Sequence, residues 1–193
     1  MQDLVYRQRQ QNDSRGTVLW PGDPGVSIQA TTLMDRERLR EMFTRLSSET
    51  IYRRFHLPYS QVPERILTLM LNVDHHDNEA FLAVVGGEVV GHAMYVRLDN
   101  ERCAEVAFVV EDGWQSKGIG KLLLAQVAEK ARARGVEYFT GGVLEGNQRV
   151  LALLDAVFAE VRYVMSAGLY QFRVPLRTLK PTTEPVRMLR CAA

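Results

Sequence analysis

Two cysteines in 193 residues, Cys103 and Cys191, are too few and too far apart for a disulfide framework, and their spacing fits no metal motif. They read as ordinary thiols in a reducing cytoplasm. No apolar run approaches the roughly 20 residues of a membrane span, and the opening stretch MQDLVYRQRQQND has no apolar signal core. Neither sign of charge dominates, with 24 basic against 23 acidic residues, so no whole-chain field draws the protein to nucleic acid or to a membrane. The expectation is a soluble cytoplasmic protein. Two common phosphate loops are missing as well. A P-loop needs Gly five residues before a Gly-Lys pair and Ser or Thr after it, whereas Gln115 precedes Gly120-Lys121 and Leu122 follows. A dinucleotide fingerprint needs a third Gly where Leu123 stands.

What is present is the stretch AEVAFVVEDGWQSKGIG, Ala104 to Gly120. An unbroken apolar run, Val106 to Val110, ends in an acidic turn at Glu111, Asp112 and Gly113. Gln115 to Gly120 then leads into a helix. Gly118 and Gly120 have no side chain to obstruct a ligand, and the first amides of a helix lack partners inside it. Such a place attracts phosphates.

The rest of the chain supplies one core, since 46% of its residues are hydrophobic. Residues 1–25 read as a flexible arm and 175–193 as a basic tail interrupted by Pro175, Pro181 and Pro185. Between them, Val26 to Ala30 alternates as a strand, and Asp35 caps a helix with Leu39, Met42, Phe43 and Leu46 on one side. In LSSETIYRRF, Ser48 caps a short turn, with Arg53 and Arg54 facing outward. A helix over Gln61 to Val73 follows Ser60. Asp74-His75-His76-Asp77 concentrates metal-ligand types, but adjacent residues rarely converge on one ion, so it reads as a loop. Ala80 to Val85 and Glu88 to Leu98 form a hairpin through Gly86-Gly87. A helix from Gly118 to Gly135 separates the stretch around Val106 from a strand at Tyr138 to Leu144, which makes those two strands parallel. Asn147 opens a helix through Val157, and Val161 to Met165 and Leu169 to Val174 are the last strands. The order is β-α-α-β-β-β-α-β-α-β-β.

Gln115-x-x-Gly118-x-Gly120 between strand and helix resembles the pyrophosphate loop of the GCN5-related N-acetyltransferase (GNAT) family, and the element order agrees over about Val26 to Val174. The resemblance implies an α/β fold whose mixed, mostly antiparallel sheet splays between its fourth and fifth strands, flanked by helices. It implies acetyl-CoA as co-substrate. The backbone of Phe108, Val109 and Val110 would meet its pantetheine arm, the amides of Gln115, Ser116, Lys117, Gly118, Ile119 and Gly120 its pyrophosphate, and Asn147 the arm again. No metal is implied. Leu46, Ser47, Glu49, Tyr52, Arg54, Phe55 and Glu105 are similar to a pattern in the acetyltransferase domain of bacterial protein lysine acetyltransferases. That implies a protein lysine acceptor, with an acyl-CoA synthetase as candidate partner, and a monomer or homodimer. The regulatory domains often fused to that group do not fit in 193 residues.

Glu105 is the candidate general base, because an alkylammonium with pKa of about 10.4 is no nucleophile until it loses a proton. On a strand it shares its face with Ala107 and Val109, and burial along a groove wall would raise its pKa. A main-chain amide at Val109 or Val110 would hold the oxyanion. Two departures from the family pattern stand out. Leu154 occupies the place of the tyrosine that serves as general acid, and the usual Gly-Phe after that helix is absent. Acetylation of a small amine and a non-catalytic acyl-CoA-binding role are the alternative readings.

Overall fold

The computed structural model describes residues 18–19, 25–98, 102–181 and 187–188. Its strands are β1 (Val26–Ala30), β2 (Asn78–Val85), β3 (Glu88–Arg97), β4 (Cys103–Val110), β5 (Tyr138–Leu144), β6 (Arg162–Ser166) and β7 (Leu169–Pro175). The helices are α1 (Arg36–Thr44), α2 (Ser48–Phe55), α3 (Glu64–Leu71), α4 (Ile119–Ala133) and α5 (Gln148–Val157). The sheet runs β6-β7-β5-β4-β3-β2-β1, and two-residue strands at Val18–Leu19 and Arg187–Met188 continue it beyond β1. The rest of the N-terminal arm, most of the C-terminal tail and Cys191 lie outside the described residues.

Local chemistry explains the connections. Gly86 and Gly87 both take positive φ, the conformation a two-residue hairpin turn between right-twisted strands requires. Helix α4 intervenes between β4 and β5, so that pair alone in the main sheet is parallel. Its pairing is short: Cys103 with Tyr138, Ala104 with Phe139 and Glu105 with Thr140. Beyond Glu105, β4 stays on β3 as far as Val110, whereas β5 stays on β7 along its whole length. The sheet therefore opens into a V from Val106 onward. Gly141 and Gly142 form one wall. A Cβ on Gly141 would fall 2.7 Å from the Phe172 ring, and one on Gly142 would fall 3.4 Å from His56 Cε1.

Helices cover both faces. Ile119, Leu123, Val127 and Ala131 of α4, with Leu154 and Val157 of α5, pack over Ala93, Tyr95, Ala104, Val106 and Phe139. On the other face Leu39, Met42, Ile51, Leu67 and Met70 pack over Ala80, Leu82, Met94 and Val109. Each fully buried aliphatic side chain contributes about 1.5–3 kcal/mol of transfer free energy.

Two local expectations are corrected. Helix α3 begins at Glu64 rather than Gln61, because Pro63 forces the residue before it out of helical conformation. LSSETIYRRF is a helix of eight residues, capped by Ser47, whose side chain accepts from the Thr50 amide. In the 74–77 loop, Asp74 Oδ1 accepts the amides of His76, Asp77 and Asn78 at 2.8–2.9 Å and so builds the turn. No helix among the described residues is long and apolar enough to cross a membrane.

Candidate active site

The V holds a cleft of about 440 Å³. Phe108, Val109 and Val110 line it from β4, Gln115, Ser116, Gly118 and Gly120 from the loop, and Asn147 and Arg149 from the start of α5. Thr50, Arg53 and Arg54 close it from α2. Among the described residues four cations, Arg53, Arg54, Lys121 and Arg149, face this space, and no acidic one lines it. Such a lining suits a polyanion.

The loop geometry adds to this. Ser116 and Gly118 both take positive φ, 60° and 86°, which turns successive amides into one concavity. Helix α4 follows at once, and no side chain caps it, so its first amides are left for a ligand. The residues present therefore fit a CoA pyrophosphate. Lys117 and Ile119 could contribute only main chain. Lys117 Nζ lies over the Trp114 ring, 4.6 Å from its centroid, and Ile119 is buried in the core.

Strand alternation decides which β4 groups face the V. The Val106 carbonyl lies toward β5, 3.1 Å from where a Cβ on Gly141 would sit, and the Val109 carbonyl lies toward β3, 3.2 Å from a Cβ on Gly91. The main chain of Phe108 and Val110 therefore faces the opening, and that of Val109 belongs to the ladder with β3. Of the two amides expected to hold the oxyanion, that of Val110 faces the opening and that of Val109 does not.

A second cleft of about 230 Å³ adjoins the first and shares Arg53, Arg54, Phe108, Asn147 and Val150 with it. Glu105, His56, Gly142 and Phe172 are among its other walls. Glu105 is exposed, so the expected burial of its carboxylate does not occur. Arg54, expected to face outward, instead stands between the two clefts, with its Nε buried and unpartnered. Burial pushes its guanidinium down to about 10, opposed by the charge of Glu105. It remains cationic at neutral pH. The His56 imidazole is held below its ordinary value by burial first and then by Arg54, with Glu105 opposing. It is therefore neutral near pH 7.

Leu154 is fully buried, and among the described residues no tyrosine lines either cleft. Tyr163 donates to Asp155 Oδ1 at 3.0 Å, and burial together with that carboxylate raises its pKa, which makes it a poor acid. His92 is buried outside both clefts, where burial and Arg54 push it down to about 3. Thr50, His56 and Arg149 had escaped the sequence reading. The Leu46 to Phe55 pattern, which contains Thr50 and ends one residue before His56, was the available signal for the first two.

A parallel strand pair splayed over a phosphate loop and meeting a polar second cleft defines a CoA-dependent acyltransferase architecture. Sequence comparison makes the class specific: the pattern of the Acetyltransferase (GNAT) family matches residues 37–158. The chain belongs to that family, whose members are N-acetyltransferases that draw on acetyl-CoA. It is 34% identical over 128 residues to Acetyltransferase Pat of Mycolicibacterium smegmatis and 30% identical over 114 residues to Acetyltransferase PA5475 of Pseudomonas aeruginosa. These matches cover 65% and 57% of this chain, but 38% and 61% of the two relatives. The crystal structure of the GNAT domain of S. lividans PAT superposes with a TM-score of 0.76 at 26% identity, covering 83% of this chain and 96% of that one.

Proposed function

We propose that the chain transfers the acetyl group of acetyl-CoA to the side-chain amine of a protein lysine, with Glu105 as general base. The observation that carries this reading is the pair of adjoining clefts, one lined by four cations and no acid, the other holding an exposed carboxylate. When bound, acetyl-CoA supplies an acyl carbon activated by its thioester. The loop amides from Gln115 to Gly120 hold its phosphates, and the outward main chain of Phe108 and Val110 guides its arm beside Asn147. Glu105 takes the proton from the acceptor ammonium, and its exposure lets it pass that proton to solvent. The amide of Phe108 or Val110 supports charge on the carbonyl oxygen. No residue is assigned as general acid, since a CoA thiolate departs without one near neutral pH.

The lysine acceptor is supported by the Leu46 to Phe55 pattern, whose Arg54 lines both clefts, and by the openness of the second cleft at Glu105. An acyl-CoA synthetase is the candidate protein partner. Incubation with acetyl-CoA and a panel of proteins, lysine peptides and small amines tests this. Thiol release with acetyl-lysine detected by mass spectrometry is the expected result. Release with small amines alone removes the protein acceptor, and CoA binding without release removes catalysis.

A further inference from the structure

Asp112 stands just ahead of the phosphate loop, with its carboxylate turned toward the start of α2 and away from the cleft. Its Oδ2 accepts the Ser47 amide at 2.9 Å, and its Oδ1 accepts the hydroxyls of Ser47 and Thr50 at 2.7 Å each. Ser47 Oγ in turn accepts the Thr50 amide at 3.2 Å. The network continues into the loop. Gln115 Nε2 donates to Thr50 Oγ1 at 3.2 Å and to the Val110 carbonyl at 3.1 Å, and Arg149 Nη1 donates to Gln115 Oε1 at 2.9 Å. One run of hydrogen bonds thus joins α2, the acidic turn, the end of β4 and the start of α5.

Helix α2 needs such an anchor. Its apolar contacts lie at the middle and far end, where Ile51 is buried and Phe55 packs against Phe43 and Tyr59, so its first turn depends on polar contacts. At roughly 1.5 Å per residue it spans about 12 Å, and its far end carries Arg53, Arg54 and His56 into the walls of the clefts. A small tilt at Ser47 would displace all three.

We propose that Asp112 is a positioning residue that clamps α2, and with it the acceptor-side wall, to the loop that receives the donor's phosphates. The inference rests on the reading of the first cleft as the acetyl-CoA site and adds to it a link between donor loop and acceptor wall. Neither Asp112 nor Ser47 lines a cleft, so both act through the helix they hold.

The test uses the full chain and CoA. In Asp112→Ala the amides of residues 50–56 exchange at least about tenfold faster than in the wild type, while those of α4 keep their rates. CoA affinity by calorimetry falls by less than that factor, because Arg53 and Arg54 of α2 also line the first cleft while the loop amides keep their place. Asp112→Asn keeps one acceptor oxygen for the two hydroxyls but sets an amino group against the Ser47 amide, so it recovers part of the protection. Thr50→Val, which spares the Ser47 cap and cuts the link to Gln115, loosens the same amides to a smaller degree. With N-α-acetyl-lysine amide as acceptor, Asp112→Ala raises KM for the amine by a larger factor than KM for acetyl-CoA. Unchanged exchange in both Asp112→Ala and Thr50→Val overturns the proposal, and so does a loss of CoA affinity in proportion to the loosening. Should the wild type not acetylate that amine, the lysine reading falls, while exchange and CoA affinity still decide the role of Asp112.

Discussion

Replacing Gly118 separates two demands that the phosphate loop makes at one position. Gly118 has φ of 86° and ψ of −12°, a left-handed conformation that costs an ordinary L-residue about 1–2 kcal/mol. A Cβ placed there meets no heavy atom within 4 Å, so the protein's own packing does not oppose a side chain. What remains is backbone strain and the room a ligand needs. Alanine must either bear the strain or relax φ and swing the amides of Ile119 and Gly120 off target. A loss of about 1–2 kcal/mol in binding is a weakening of about 5- to 30-fold. Gly118→Ala should therefore lower CoA affinity by that factor in calorimetry. Asparagine tolerates the left-handed region better but is larger. If conformation governs, Gly118→Asn lies between wild type and Gly118→Ala, and if space governs it binds worst. Wild-type affinity in both variants would refute the loop as the CoA site.

Glu105→Gln should lower turnover by about 10²- to 10⁴-fold while CoA affinity stays near wild type, with the deficit shrinking as pH rises and more free amine is present. Arg54→Gln should raise the pKa of His56, because that cation helps to hold it down, and Glu105→Gln should lower it further; the His56 resonances in an NMR titration read both. A shift in the opposite sense would contradict the placement of all three groups. Leu123→Ala should cost about 2–5 kcal/mol in denaturant unfolding, toward the upper end because Leu123 fills the space beside Gly91, where a Cβ would lie 2.9 Å from Leu123 Cδ1 and no side chain can collapse into the gap. Partial burial pushes the Asp112 carboxyl up, but the hydrogen bonds from Ser47 and Thr50 outweigh it and hold the group below the ordinary carboxylate range. Its contribution is therefore complete above about pH 4 and lost as pH falls through the lowered folded value, so protection of residues 50–56 should persist at pH 5 and fade in stronger acid.

Much of the fold is legible because strands and helices bury alternate or fourth residues, and those periods survive in the sequence. The β2–β3 hairpin follows from Gly86-Gly87, and the parallel β4–β5 pair follows from the helix between them. Boundaries failed where one residue's stereochemistry outranked a pattern, as at Pro63. The loop from Gln115 to Gly120 was legible because glycine at Gly118 and Gly120 marks backbone that a ligand approaches. The acceptor side was not, for a physical reason. Thr50 and Arg54 lie on a short helix that His56 caps, and its apolar pair, Ile51 and Phe55, marks the buried side without showing that the flanking polar groups reach the clefts. The start of that helix is held by Asp112, 65 positions after Ser47 and 62 after Thr50, and such a contact leaves no trace in local propensity.

The exposed position of Glu105 also follows from the sheet rather than from local sequence. It is the last residue of β4 paired on both sides, with Val96 of β3 and Thr140 of β5. Everything after it on β4 is held on one side only, which frees the main chain of Phe108 and Val110 to meet the donor. The proposed base and the proposed donor surface thus lie on one strand, the first in its clamped part and the second in its open part, about 3.3 Å of rise apart per residue. A shift of register by one would turn position 105 toward α4, where Ala104 and Val106 are buried. The three-residue pairing of β4 with β5 therefore fixes both the face on which the carboxylate stands and its distance from the opening, and a sheet that splayed one residue earlier would leave the base on the movable part of the strand.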